Sequence, residues 1–315
     1  MTSRRLGATD LFTPPLVFGG NVFGWTADRA TSFRLLDAFV DGGGVMIDTA
    51  DVYSAWAPGH RGGESETIIG DWLRESGRRD RVLIATKVGM LPGEGGEKLA
   101  PARIAAACDA SLQRLGIDTI DLYFAHQDDD AVPQDAVLEA FGRLIQAGRV
   151  RVIGASNFHA GRLKSALDTA RQHGLPHYHV LQPEYNLVSR HKFEGELMDL
   201  CVEHNIGVVP YYGLASGYLT GKYRSAADLG KSIRGGRMQA LIDGKGPAVL
   251  AAMDAVAGET GATLAQIALA WLAAQPGVTA PIASATGVEQ LNELMGAMTL
   301  TLSRDQLDRL TAAGA

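Results

Sequence analysis

Val45-Met46-Ile47-Asp48-Thr49-Ala50-Asp51-Val52-Tyr53 decides how the chain is read. The stretch opens as a short apolar run of the kind that forms a buried strand. It ends that run on a carboxylate and sets a phenol five residues further on, among small and polar residues. Burying a carboxylate is costly unless another group pairs with it. The next apolar run, Val82-Leu83-Ile84-Ala85-Thr86-Lys87, ends on a lysine, and the one after, Ile120-Asp121-Leu122-Tyr123-Phe124-Ala125-His126, ends on a histidine. Three successive strand ends thus offer Asp48, Lys87 and His126, with Tyr53 close by. That set is suited to moving a proton.

Outward from these runs, strand candidates recur with room for one helix between neighbours. They fall at 16–19, 45–48, 82–87, 119–124, 150–154, 179–182, 207–210 and 278–282. Most are continuously apolar, as strands covered on both faces are. Amphipathic helical patterns lie between them at 29–39, 64–72, 101–115, 133–145, 163–173, 194–204, 263–273 and 289–295, with a last one at 303–311. Eight alternations with right-handed crossovers close most simply into an α/β fold, a (β/α)8 TIM barrel. An open doubly wound sheet would carry a glycine-rich phosphate loop after its first strand. Here Gly42-Gly43-Gly44 precedes a strand and reads as a helix-ending turn. Residues ahead of Leu16 suggest a short N-terminal hairpin under the barrel. The segment 213–247, after strand 7, is a loop too long to be a mere connection. Residues 1–315 are read as one domain.

Composition narrows the function. The chain has 315 residues, 46% hydrophobic and 20% charged, with a net charge of −6. No basic cluster follows a phosphate backbone, so nucleic acid is not an expected partner. No apolar window is long enough to span a bilayer, and no signal peptide is visible, so no membrane association is expected. Cys108 and Cys201 lack metal-ligand spacing and read as buried, reduced thiols, which suits a cytoplasmic protein. The acidic Asp128-Asp129-Asp130 reads as a solvated loop, and no metal is expected.

In a barrel of this kind the active face is the ring of strand C-terminal ends. Those ends carry Asp48, Lys87, His126, Ser156-Asn157, Gln182, Tyr211 and Ser284. Alone, Asp48 and Lys87 read as a structural ion pair, and His126 as a capped or surface histidine. Together with Tyr53 they read as a site. With Gly154-Ala155-Ser156-Asn157-Phe158, Gln182-Pro183-Glu184-Tyr185-Asn186, Gly63-Glu64-Ser65-Glu66 and Ala215-Ser216-Gly217-Tyr218-Leu219-Thr220-Gly221-Lys222, they make a series spanning almost the whole chain. In that order and spacing the chain resembles the aldo-keto reductase superfamily.

The resemblance implies Asp48, Tyr53, Lys87 and His126 as catalytic groups in reduction of a carbonyl by NADPH, with NADH as the alternative cofactor. A carbonyl taking up hydride develops negative charge on oxygen and needs a proton donor there. Tyrosine, with a pKa of about 10, is a reluctant acid at neutrality. A neighbouring lysine is expected to lower that value, Asp48 to hold the lysine, and His126 to donate to the substrate oxygen. For the cofactor, the resemblance assigns Ser156, Asn157 and Gln182 to the nicotinamide carboxamide and Tyr211 to stacking on its ring. Gly213, Leu214 and Ser216 fall to the cofactor as well, although Tyr212-Gly213 departs from the family's Ser-Pro, and Lys222 with Arg234 or Arg237 reads equally as phosphate ligands or as solvated loop charge. Ser284, Thr286 and Gln290 fall to the adenosine end, where Thr286 stands in place of an arginine that many relatives set on the 2′-phosphate.

Trp25, Trp56 and Tyr212, with His60 and Arg61, are expected to line the mouth around His126. Only Ala312-Ala313-Gly314-Ala315 follows the last helical pattern, so a long pocket-narrowing C-terminal loop is not expected, and the site reads as open. The expected partner is a small-molecule carbonyl compound, and the oligomeric state is left open. Two rivals accompany this reading. One is an NAD-dependent alcohol or sugar dehydrogenase working in the oxidative direction. The other is an NADPH-binding regulatory subunit resembling potassium-channel β-subunits.

Overall fold

The structure, a computed structural model, describes residues 2–231 and 235–315. Arg234 lies outside them, and so does the side chain of Arg237. The chain begins with an antiparallel hairpin of β1 (Arg4–Arg5) and β2 (Phe12–Thr13). Strands and helices then alternate: β3 (Val17–Gly19), α1 (Arg29–Asp41), β4 (Met46–Asp48), α2 (Glu64–Ser76), β5 (Leu83–Val88), α3 (Pro101–Leu115) and β6 (Ile120–Ala125). They continue through α4 (Gln134–Gln146), β7 (Val150–Ser156), α5 (Ala160–His173), β8 (Val180–Gln182), α6 (Glu196–Glu203) and β9 (Gly207–Val208). After β9 come α7 (Gln239–Asp243), α8 (Gly246–Thr260) and α9 (Leu264–Ala273), then β10 (Ile282–Ala283), α10 (Val288–Met295) and α11 (Arg304–Ala313).

Strands β3 to β10 form one parallel sheet in the order β10-β3-β4-β5-β6-β7-β8-β9. A parallel bridge between Val208 and Val278 joins its two edges, with Thr279 N donating to Val208 O at 2.8 Å. The sheet is therefore a closed (β/α)8 barrel. Alternation explains why the strands read as unbroken apolar runs. Val17, Met46, Ala85, Leu122, Val152 and Val180 point into the barrel, while Phe18, Ile47, Ile84, Tyr123, Ile153 and Leu181 pack against helices. Each fully buried large apolar side chain contributes about 1.5–3 kcal/mol.

Leu6 and Leu11 of the hairpin close the barrel floor. Gly7 makes this possible: its φ is +57°, and a Cβ there would lie 2.5 Å from Gly207 N. Helix ends follow local chemistry. Asp28 caps α1 through Thr31 N, Gly42 ends it, and Thr263–Gln266 and Ser303–Gln306 form capping boxes on α9 and α11.

Four expectations are corrected. Strand 7 stops at Val208 instead of 210, and the last strand is reduced to Ile282–Ala283 after an isolated bridge at Val278, because Pro210 and Pro281 have no N–H to give the ladder. The segment 213–247 is not an open loop: it contains short 3-10 turns at Ala215–Thr220 and Ala226–Lys231, helix α7 and the first turn of α8. Helix α8 itself was not expected, since its alanines and glycines leave no polar stripe opposite Val249, Leu250, Met253 and Val256. The acidic triplet is not a solvated loop either. Arg162 grips Asp128 at 2.6 and 3.0 Å, Asp129 is buried against Leu99 N and Ala131 N, and only Asp130 stays exposed.

Candidate active site

The C-terminal rim of the barrel brings the predicted polar groups together. Lys87, near the end of β5, is completely buried. Its ammonium donates to Asp48 Oδ2 at 2.7 Å, to the Thr49 carbonyl at 2.8 Å and to the Tyr53 hydroxyl at 2.9 Å. An ammonium has three N–H groups, and all three are used. Tyr53 is thus an acceptor toward Lys87 and keeps its own proton for another acceptor. The Thr49 carbonyl was not foreseen, because a main-chain oxygen leaves no mark in side-chain patterns.

Electrostatics refine the expected acid. Burial raises the Tyr53 pKa, the Lys87 charge pulls it down, and Asp48 raises it again; the net result lies above the ordinary 10. The expected lowering by Lys87 is present but outweighed, so the phenol is neutral. Burial also opposes the charge on Lys87, yet Asp48 and Tyr53 prevail and its pKa is raised. His126, 7% exposed, is held well below its usual range, first by burial and then by Lys87. It is a neutral imidazole, and its Nδ1 has no hydrogen-bond partner among the described residues. The Tyr53 and His126 ring centroids are 6.1 Å apart.

A second set of groups joins the first across the barrel. Gln182 Nε2 donates to Asp48 Oδ1 at 2.8 Å, and Ser156 Oγ donates to the Gln182 carbonyl at 2.8 Å. Asn157, with φ +59°, donates from Nδ2 to the His126 carbonyl at 2.8 Å and to Ser156 Oγ at 3.2 Å. The Tyr211 hydroxyl donates to Asn157 Oδ1 at 2.8 Å. Both amide N–H groups of Asn157 and one of the two on Gln182 are therefore engaged within the protein, and the amide oxygens serve as acceptors, that of Asn157 already taking the Tyr211 hydroxyl. Asn186, missed as a site residue, fixes this rim: it accepts from Val188 N and Ser189 N and donates to the Tyr212 carbonyl at 3.0 Å.

The mouth is aromatic. Trp56 meets Tyr53 and Trp25 edge-on, each at 5.7 Å, and Tyr212 meets Tyr211 at 5.0 Å. Trp56 and Tyr212 are exposed. His60 and Arg61 stand on the same loop as Trp56; Arg61 is exposed and its main-chain N–H donates to Glu64.

Beyond Tyr212 and Gly213, the backbone takes positive φ at Ala215 (+48°), Ser216 (+56°) and Gly217 (+96°) in succession. Two of these N–H groups are used inside the turn, Ala215 N donating to the Tyr212 carbonyl at 2.7 Å and Gly217 N to the Leu214 carbonyl at 2.9 Å. Lys222 reaches back over this turn: a Cβ on Gly217 would lie 3.0 Å from its Nζ. On the other side, Ser284 Oγ donates to Asn21 Oδ1 at 2.6 Å, and Thr286 N donates to Gln290 Oε1 at 2.9 Å at the start of α10. Arg234 and the Arg237 side chain lie outside the described residues. Cys108 and Cys201 are buried, with thiols pushed up to about 12 by burial, and take no part. Among the described residues there is no cluster able to hold a metal ion, and no helix long and apolar enough to cross a membrane.

Comparison with known proteins shows the family of the chain. Residues 15–315 match the aldo/keto reductase family. The chain is 34% identical to an uncharacterized oxidoreductase, YrpG, of Bacillus subtilis, over 97% of this chain and 93% of that one. It is 33% identical to a probable voltage-gated potassium channel subunit beta of Arabidopsis thaliana, over 95% and 91% of the two chains. It is 29% identical to the L-glyceraldehyde 3-phosphate reductase of Escherichia coli, over 98% and 91%.

Proposed function

The chain belongs to the aldo/keto reductase family and is an oxidoreductase of carbonyl compounds, and we propose that it reduces a small aldehyde or ketone to the alcohol, with NADPH as cofactor and Tyr53 as general acid. The observation that carries this reading is the three-way donation of Lys87, which makes Tyr53 an acceptor inward and a donor outward. The bound nicotinamide supplies the hydride that the carbonyl carbon takes up. As charge develops on the carbonyl oxygen, Tyr53 gives it a proton. The phenolate left behind faces the Lys87 ammonium at 2.9 Å, and Asp48 holds that ammonium charged. Neutral His126 offers the same oxygen a hydrogen bond, and solvent later returns the proton to Tyr53.

The residues present fit a nicotinamide dinucleotide. The oxygens of Gln182 and Asn157 suit the N–H groups of a carboxamide, Ser156 lies between them, and the Tyr211 ring offers a stacking face. Gly213, Leu214, Ser216 and Lys222 suit the pyrophosphate, since the Lys222 ammonium lies close over the Gly217 turn and brings a positive charge to it. Ser284, Thr286 and Gln290 take the adenosine end. Trp25, Trp56 and Tyr212 give an apolar wall to the substrate.

A second reading, a cofactor-binding regulatory subunit, is favoured by the 33% identity to a probable channel subunit beta. Turnover separates the two. Purified protein given NADPH or NADH and a panel of aldehydes is expected to oxidise NADPH steadily at many turnovers per chain. Cofactor binding with no turnover on any carbonyl would favour the regulatory reading, and no binding of either nucleotide would remove both.

A further inference from the structure

Asp51 stands two residues before Tyr53, on the loop leaving β4, and is fully buried. Its main-chain N–H donates to the Lys87 carbonyl at 3.3 Å. Its side chain faces the other way, into a cluster of charges behind the catalytic groups. There Arg103, on α3 and 6% exposed, donates from Nη2 to Asp51 Oδ2 at 3.4 Å. The same guanidinium donates from Nε to the Leu91 carbonyl at 3.1 Å and from Nη1 to the Glu94 carbonyl at 3.2 Å. Leu91 and Glu94 belong to the loop leaving β5, the strand that carries Lys87. That loop is folded tightly round Arg103: a Cβ on Gly93 would lie 2.7 Å from Nη1. One planar fork thus ties the loop bearing Tyr53 and Trp56 to the loop following Lys87.

As a device for stability this pair is poorly made. The contact with Arg103 is long, and Asp51 Oδ1 has no hydrogen-bond partner among the described residues. Buried carboxylates in that condition cost free energy and are not repaid by one distant partner. The charged and titratable groups around Asp51 are Glu66 of α2, Arg103 and Arg114 of α3, and Tyr123 of β6. Glu66 is already engaged, accepting from Thr86 at 2.6 Å and from Arg114 at 2.7 Å. Burial and then Glu66 push the Asp51 carboxyl up to about 7, with Arg103 and Arg114 opposing. A costly group kept at a site of chemistry is often kept for placement.

The geometry points to Asp51 and Arg103 as a positioning pair, which sets Tyr53 against Lys87 by locking the two loops together and touches neither substrate nor cofactor. This rests on the reading of Tyr53 as the acid. Asp51 is protonated in the fold and ionised in the unfolded chain between about pH 4 and 7, so its cost to stability grows over that range and is complete above it.

The test compares wild type with Asp51→Asn and Arg103→Lys, measuring kcat with an aldehyde and NADPH, NADPH affinity and Tm from pH 5 to 8. For Asp51→Asn, kcat at pH 8 is expected to fall about tenfold or more with NADPH affinity unchanged. Its Tm at pH 8 is expected to rise above that of wild type, with both differences shrinking towards pH 5. Arg103→Lys keeps the charge but not the fork, and is expected to lose kcat at pH 8 as well. A kcat equal to wild type in either variant, or a loss at pH 8 that accompanies a lowered Tm, overturns the pair. If wild type itself lacks turnover, the functional reading fails, and crystal structures decide the pair alone. A Tyr53 hydroxyl moved out of hydrogen-bond reach of Lys87 in Asp51→Asn supports it, and an unmoved one overturns it.

Discussion

Gln182 at the end of β8 donates to Asp48 at the end of β4, at 2.8 Å, across the mouth of the barrel. The two strands are four apart in an eight-stranded closed sheet, and so face each other. The carboxylate that holds Lys87 is thereby also held by the group assigned to the nicotinamide. The residues proposed for the acid and for the cofactor are one hydrogen-bonded unit.

That unit makes Lys87 costly to remove. Lys87→Met leaves Asp48 buried without its cation and is expected to lower stability by about 3–5 kcal/mol as well as abolishing turnover. Adding Asp48→Asn is expected to restore most of the stability and none of the activity. Urea unfolding of the two single variants and the double variant checks this; additive losses would mean that the pair is not coupled.

The Tyr211 hydroxyl fixes the orientation of Asn157. Tyr211→Phe removes one hydrogen bond, worth about 0.5–1.5 kcal/mol, and is expected to weaken NADPH binding about threefold to tenfold. Tyr211→Ala, which also removes the stacking face, is expected to weaken it further. Fluorescence titration measures both. Equal affinity in the alanine variant would remove Tyr211 from the cofactor site.

Acid should unfold the protein partly through two histidines. Burial holds His126 well below its usual range and, with His177, lowers His179 to about 4. Both are neutral in the fold and take up protons when it opens. Their contribution is present above about pH 6.5 and is lost as pH falls toward the folded value. For the partly exposed His179 that loss is about 2 kcal/mol, and His179→Gln should remove it between pH 6.5 and 4. Stability measured against pH in the variant should slope less steeply; an unchanged slope refutes the assignment.

Gly7 tests the barrel floor. Gly7→Ala puts a Cβ against Gly207 N and Asn205 O at a positive φ, and is expected to cost at least about 1–3 kcal/mol. Thermal unfolding at fixed pH gives the answer, and an unchanged Tm would mean that the hairpin does not seat there.

Much of this was legible in the sequence because it rests on side chains at strand ends. Asp48, Lys87, His126, Ser156 and Gln182 each close an apolar run, and a barrel turns that linear pattern into a ring. Tyr53 followed from the family resemblance, which asks for a tyrosine at that spacing from Asp48. What stayed hidden has physical reasons. The Thr49 carbonyl is main chain. Asn186 acts through a turn whose target, Tyr212, is distant in sequence. Arg103 sits in a helical pattern where an arginine reads as surface, and only the fold shows it buried. The net rise of the Tyr53 pKa depends on how deeply the phenol is desolvated, which pairing alone does not convey.

The central claim is that Tyr53 gives the proton. Tyr53→Phe keeps the ring and removes only the hydroxyl that Lys87 touches. With NADPH and an aldehyde that the wild type reduces, the account predicts a kcat lower by about 10²–10⁴-fold, with NADPH affinity nearly unchanged. Reduction at the wild-type rate by this variant would contradict it.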